Sequence, residues 1–316
     1  MSAAARLSPA DIDVLDVVDA HLHVWRLADL PWLHGPMVPR IFGAYEAIRR
    51  DHPITEYLHD ARLAGIDAAV YVQPNWPIER SVEEVRWVQG IYEQHGWPHA
   101  IIGSAAMFDP GAHTVFEHQR DISPLMRGTR LQLHWHADER FRFASAPDRM
   151  NDRVFRENLA VLDDLGWLFE LQVFPGQMVD AAALVGQFPN TTFVLVHAGM
   201  LESSDPAHVE PWRAGLTVLA EHPNVVVKLS GQGTFAHRVD EPLIRLVTAT
   251  TLELFGSPRC MFGSNFPIES IWTDFPTLVD AWLRVLGDLD RDARRDVLGA
   301  TARRVYSLGP AGSPGG

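Results

Sequence analysis

Val14-Leu15-Asp16-Val17-Val18-Asp19-Ala20-His21-Leu22-His23-Val24-Trp25 is the stretch on which the fold turns. The run Val14–Val18 reads as a strand, and a strand sends alternate side chains to opposite faces. On that reading Asp19, His21 and His23 point one way, while Ala20 and Leu22 point the other. Two imidazoles at i and i+2, at the C-terminal end of a buried strand, can converge on one small object. Neutral imidazole is the usual nitrogen donor to a divalent metal, so a metal is the first candidate.

Seven more short apolar runs follow: Asp67–Gln73, Ala100–Met107, Gly128–His134, Leu168–Val173, Thr192–His197, Val225–Ser230 and Arg259–Ser264. Most are aliphatic or β-branched without strict polar alternation, which suits parallel strands buried on both faces. Between them the periodicity predicts helices over Ile54–Ala64 (closed by Gly65), Ser81–His95, Asn151–Leu165, Val179–Phe188, Pro211–His222 and Glu241–Phe255, with Thr277–Leu286 and Arg291–Leu308 after the last strand. Ser81 followed by Glu84 has the form of a capping box. Eight such repeats without a Pro/Gly-rich linker predict one α/β domain, a (β/α)8 TIM barrel over residues 1–308. A doubly wound sheet fits less well, because no Gly-rich phosphate turn follows the first strand. The Gly/Pro/Ser-rich stretch 309–316 is expected to be a disordered tail. The long segment Arg26–Pro53, with Trp32, Phe42 and Tyr45, is expected to cover the C-terminal mouth of the barrel.

The 316 residues carry 27 basic and 40 acidic side chains, a formal net charge of −13. That balance argues against nucleic acid or an anionic membrane as partner, though not against an anionic small molecule. The single cysteine, Cys260, excludes an internal disulfide and fits a reducing, cytoplasmic setting. The first residues do not read as a signal peptide, and no run approaches the length of a membrane helix. Oligomerisation with copies of itself is left open.

Polar side chains recur where strands should end. Gln73 shares a face with Tyr71, and Trp76 follows. Arg130, Gln132 and His134 share a face, as do Glu170 with Gln172, Lys228 with Ser230, and Gly263 with Asn265. His197 closes the sixth strand. A polar residue inside a barrel needs a partner, and seven strands pointing such groups at one end describe a site. Arg130 and Lys228 could pair with Glu170 or Asp19, or bind a carboxylate or carbonyl of a ligand. Trp25, Trp32, Trp76, Trp135 and Trp272 lie at or beyond strand ends, where tryptophan commonly walls a pocket for a flat or carbohydrate-like ring.

With these motifs in order, the chain resembles the amidohydrolase superfamily, in the branch of sugar lactonases, 2-pyrone-4,6-dicarboxylate lactonase and some metal-dependent decarboxylases. The resemblance rests on Asp19–Trp25, Arg127-Gly128-Thr129-Arg130, Leu195-Val196-His197-Ala198-Gly199, Lys228-Leu229-Ser230-Gly231 and Cys260-Met261-Phe262-Gly263-Ser264-Asn265-Phe266-Pro267. It implies His21 and His23 as metal or substrate ligands, His197 as the sixth-strand histidine and Arg130 as the holder of the substrate carbonyl or carboxylate. The family's eighth strand usually ends in Ser-Asp-Trp-Pro, whose Asp activates water. Here Asn265 stands in its place, with Glu269 the nearby acid.

The leading expectation is hydrolysis of a lactone. His197, Glu269 or one of the pair His21/His23 is the candidate base, and Arg130, Asn265 or a metal the candidate oxyanion partner. A divalent metal, zinc first, would take His21, His23 and His197; without one, the same histidines would position substrate and water. Trp25, Gln73, Trp76, Gln132, His134, Gln172, Lys228 and Ser230 are the expected substrate contacts. A metal-dependent decarboxylase of an unsaturated or aromatic acid is the second reading. A ligand-binding barrel without catalysis, suggested by Asn265, is the third.

Overall fold

In a computed structural model, which describes residues 16–309, eight parallel strands stand in chain order around one sheet. They are β1 Val17–Leu22, β2 Ile66–Val72, β3 Ala100–Gly103, β4 Met126–Gln132, β5 Leu168–Gln172, β6 Phe193–Leu195, β7 Val225–Leu229 and β8 Cys260–Phe262. A parallel bridge between Leu22 and Phe266 joins the last strand's end to the first. His23 N–H donates to the Phe266 carbonyl at 2.8 Å and Asn265 N–H to the His21 carbonyl at 2.9 Å, at the mouth end of that seam. The helices α1 Ile54–Leu63, α2 Ser81–His95, α3 Ala112–Ile122, α4 Arg153–Asp164, α5 Met178–Val185, α6 Pro206–Ala220, α7 Glu241–Phe255 and α8 Phe275–Leu286 follow the strands in turn. The arrangement is the expected (β/α)8 barrel.

Strand alternation sorts the core into two layers. Val18, Ala20, Ala68, Val70, Val72, Ile102, Leu168, Val194, Val226 and Met261 fill the barrel interior together with Tyr306. Phe169, Leu171, Phe193, Leu195, Val227 and Phe262 face outward onto the helices. Helices α4, α6, α7 and α8 each start on an Asp (152, 205, 240 and 274) whose carboxylate accepts a backbone N–H of the first turn.

Several expectations shift. The first strand runs further than Val14–Val18 suggests, so the histidine motif lies within and just beyond it; Val14, Leu15 and residues 310–316 of the expected tail fall outside the described residues. Strands three, six and eight are shorter than their apolar runs. Helix α3 was not expected: its buried stripe is only Ala112, Phe116 and Gln119, too narrow a signal in a polar segment. The final helix breaks into Arg291–Arg295, a π-helical turn Asp296–Ala300 and Thr301–Val305. There Gly299 presses on the start of β1, where a Cβ would stand 1.8 Å from the Asp16 carbonyl oxygen. The capping box at Ser81 does not form, since Glu84 instead turns inward to accept the Tyr71 hydroxyl at 2.8 Å.

Candidate active site

The decisive local feature is an irregularity in β1. Asp19 pairs with Ala69 and Leu22 with Tyr71, so three steps along β1 match two along β2. One extra residue in a ladder reverses the facing of everything after it. Asp19 therefore does not share a face with the histidines, as strict alternation had suggested. It turns to the helix layer, where its Oδ1 accepts His21 N–H (3.0 Å) and Ser264 N–H (2.8 Å) and its Oδ2 accepts the hydroxyls of Ser264 (2.5 Å) and Tyr57 (2.9 Å). Its oxygens stitch β1, β8 and α1 together. His21 and His23 turn into the mouth.

At that mouth lies a cavity of about 90 Å³. Strand ends contribute His23, Arg130, Gln132, His134, Gln172, His197 and Asn265 to its wall, and the segment after β1 contributes Trp32, Arg40, Ile41 and Phe42. That segment covers the opening as its length predicted. It is pinned by Trp25 Nε1–H to the Arg50 carbonyl (2.8 Å) and Trp32 Nε1–H to the Pro74 carbonyl (2.8 Å).

The imidazoles are arranged in sequence. His23 Nδ1 lies 2.6 Å from the Val72 carbonyl oxygen, which can only accept, so the proton sits on Nδ1 and Nε2 carries the lone pair. The His21 and His23 Nε2 atoms are 3.2 Å apart. His197 packs against His21 with ring centroids 4.9 Å apart, and its Nδ1 meets Ser230 Oγ at 2.8 Å. Strand β6 stops before His197. Residues His197, Ala198, Gly199 and Met200 have φ of 54°, 49°, 74° and 59°, a run of left-handed backbone that only a constrained turn maintains. Gly231 lets the ring in, because a Cβ there would lie 2.6 Å from His197 Nδ1.

Burial first, and the positive groups around them second, hold these rings neutral. His23 is lowered to about 3 by desolvation and by Arg130, and His134 to about 3 by the same two causes. His21 and His197 are pushed well below the ordinary value by burial, with Lys228 and Arg130 adding to it. Burial lowers Arg130 to about 10, leaving it charged at neutral pH. Glu269 is raised to about 7 by burial, against hydrogen bonds from Asn265 Nδ2 (3.3 Å) and Trp272 Nε1 (2.9 Å).

The other expected contacts divide. Gln132, His134 and Gln172 line the cavity; Gln73, Lys228, Ser230 and Glu269 stand behind the wall. Gln73 accepts Asn75 N–H at 2.7 Å, and its carbonyl accepts Arg130 Nη2, so it positions the arginine. Lys228 Nζ pairs with Glu170 Oε1 at 2.6 Å, and Tyr306 OH donates to the same oxygen at 2.7 Å. Both partners of that pair are fully buried, so the lysine answers the barrel's own carboxylate. Trp25 and Trp76 are corrections: both lie in an apolar cluster with Leu30, Leu33, Tyr45 and Ile48 under the covering segment. Their position past a strand end carried no information on which side of that segment they would face. Arg40, Asn75, Met200, Thr234 and the loop Arg140–Phe143 line the cavity without having been singled out. For Arg40 the only signal was its place in the covering segment.

A zinc ion held by the protein normally needs three of its side chains. Only the Nε2 atoms of His21 and His23 converge, and among the described residues no group of three or more His, Cys, Asp or Glu is arranged to hold a metal. The donor set does not fit the expected His21–His23–His197 zinc centre. Asn265 offers only a neutral amide where a carboxylate would complete the set.

Residues 18–308 match the family model Amidohydro_2, described as amidohydrolase. The chain belongs to the amidohydrolase family. It is therefore a hydrolase. It is 28% identical over 314 residues to an L-fucono-1,5-lactonase of Burkholderia multivorans, covering 92% of this amidohydrolase and 96% of that protein. A zinc-bound amidohydrolase structure from the same species superposes with a TM-score of 0.78 at 24% identity, over 93% of this chain and 99% of that one. The 5-carboxyvanillate decarboxylase LigW of Sphingomonas paucimobilis shares the fold at a TM-score of 0.64 and 14% identity, over 94% of this chain and 100% of its own. Among the described residues no helix is long and apolar enough to cross a membrane.

Proposed function

We propose that this amidohydrolase opens a lactone ring by attack of water, giving the hydroxy acid. The observation that carries the reading is the pairing, in one cavity, of neutral imidazoles with a buried guanidinium that lacks a carboxylate partner. Arg130 is 4% exposed, its Nε is buried without an acceptor, and among the described residues no Asp or Glu lines the cavity. Such a donor suits an ester carbonyl that gains negative charge as water adds.

His197 is the base in this reading. With its Nδ1 proton on Ser230 Oγ, its Nε2 lone pair is free to take a proton from water, and its lowered pKa keeps that lone pair available. The water oxygen bonds to the ring carbonyl carbon, and the carbonyl oxygen becomes an oxyanion held by Arg130. The bond from that carbon to the ring oxygen then breaks, and the ring oxygen takes the proton back from His197. The second water proton leaves the new carboxyl group for solvent, and the resulting carboxylate remains on Arg130. Asn265, between His23 and Glu269, orients the substrate rather than accepting a proton. Glu269 acts through Asn265 and does not itself line the cavity.

The named activity of the B. multivorans lactonase supports this reading. The zinc in the related crystal structure supports a divalent cation as an accessory at His21 and His23, where two protein donors would hold it loosely. The steps above run on the chain's own groups. The decarboxylase neighbour supports the fold alone. Supplying aldonolactones and unsaturated carboxylic acids while following acid release in a pH-stat and carbon dioxide by trapping separates the two chemistries. Ring opening without carbon dioxide is expected; carbon dioxide release without ring opening would refute the assignment.

A further inference from the structure

The chain's net charge is −13, yet among the described residues the cavity is lined by four arginines and no carboxylate. Two of the four are tied to their own loop. Arg140 pairs with Asp138 at 2.5 Å. Arg142 donates Nε to the His136 carbonyl at 2.5 Å and Nη2 to the Ala137 carbonyl at 2.8 Å, and lies over Trp135 at 4.8 Å.

Arg130 and Arg40 differ from these. Arg130, on β4 at the floor, gives one bond to the Gln73 carbonyl and keeps a buried Nε–H without an acceptor. Arg40 comes from the covering segment, over the ring of Trp32 at 5.3 Å. Its Nε is also buried without an acceptor, and among the described residues its guanidinium has no hydrogen bond or ion pair. A buried guanidinium such as that of Arg130 is costly until it meets an anion, and Arg40, half-buried at the mouth, faces the same cavity with its charge unpaired. The ester carbonyl answers Arg130. Nothing in a neutral lactone answers Arg40, because hydroxyl groups accept only weakly compared with a carboxylate.

We propose that the substrate is an acidic lactone, carrying a carboxylate besides its ring ester, and that Arg40 is the specificity residue that binds this carboxylate. The claim rests on the lactonase reading and narrows its substrate class. The floor arginine takes the reacting carbonyl, and the arginine of the covering segment takes the permanent charge, so binding fixes the ring from both sides. The stacking on Trp32 pre-orients the planar fork for a two-pronged contact.

The test compares two five-membered sugar lactones, neutral L-galactono-1,4-lactone and carboxylate-bearing D-glucaro-1,4-lactone, with wild type, Arg40→Met and Arg40→Lys. Wild type is expected to favour the acidic lactone in kcat/KM. Arg40→Met is expected to lower the acidic-to-neutral ratio about 10- to 100-fold, mainly through KM, as loss of a charge-assisted contact does. Arg40→Lys should recover part of that ratio. A wild-type preference for the neutral lactone, an equal loss on both lactones, or equal losses in the Met and Lys variants overturns the proposal and leaves the lactonase reading standing. If neither lactone opens, the failure belongs to the lactonase reading for these rings, and calorimetric binding of D-glucarate decides the charge claim by itself. Tenfold or greater weakening in Arg40→Met supports it; equal affinities overturn it.

Discussion

Glu269→Gln separates a proton acceptor from a positioning residue, and the structure gives the size of the effect. Glu269 is 1% exposed, and burial raises its carboxyl from 4.5 to about 7. Between those two values the folded protein binds a proton that the unfolded chain releases. Stability therefore falls as pH rises through 4.5 to 7 and is level above. At ~1.4 kcal/mol per pH unit the wild type loses about 3 kcal/mol across that window from this one group. Glutamine does not titrate, so the variant should lack that loss. Its amide also sets one N–H against the donors of Asn265 or Trp272, costing about 1–3 kcal/mol at every pH. That constant cancels when the wild-type-minus-variant difference at pH 8 is compared with that at pH 5. Denaturant unfolding at both values should show the comparison shift by about 3 kcal/mol in favour of the variant at pH 8. A pH-independent difference would refute the buried, raised carboxyl. The same protein reports on mechanism. With His197 as base, the variant keeps the shape of the wild-type pH–rate profile between pH 5 and 8, and its loss appears as a uniform drop. Disappearance of a limb centred near pH 7 would instead make Glu269 the proton acceptor.

His197→Ala should lower kcat/KM for lactone opening by about 10²–10⁴-fold with an unchanged circular dichroism spectrum; near-normal turnover would remove the histidine from the chemistry. Because only two protein donors converge at His21 and His23, chelator-treated protein should keep most of its hydrolytic rate. Loss of activity restored by one equivalent of zinc, measured by metal analysis alongside turnover, would overturn the reading of that pair.

Much of this site is legible along the strands. Arg130, Gln132 and His134 recur with period two and do share the inner face, and Glu170 with Gln172 and Lys228 with Ser230 behave alike, because a regular parallel strand preserves alternation. The prediction for Asp19 failed where alternation itself failed, at the extra residue between Asp19 and Leu22. His197 was found by its neighbours in sequence, yet its orientation comes from a left-handed turn that no periodicity describes. Glu269 was noted as a nearby acid. That it reaches the cavity only through Asn265 depends on how the chain turns after β8.

What the sequence determines here is the barrel and the identity of the polar groups at its mouth, since hydrophobic period and strand count act locally and repeat eight times. What the tertiary structure decides is which of those groups remain unpaired. Lys228 finds Glu170 across the barrel, Gln73 serves Arg130, and among the described residues Arg130 and Arg40 line one cavity with no carboxylate hydrogen-bonded to either. Pairing of buried charges depends on distances between residues far apart in the chain, and those exist only once the sheet has closed.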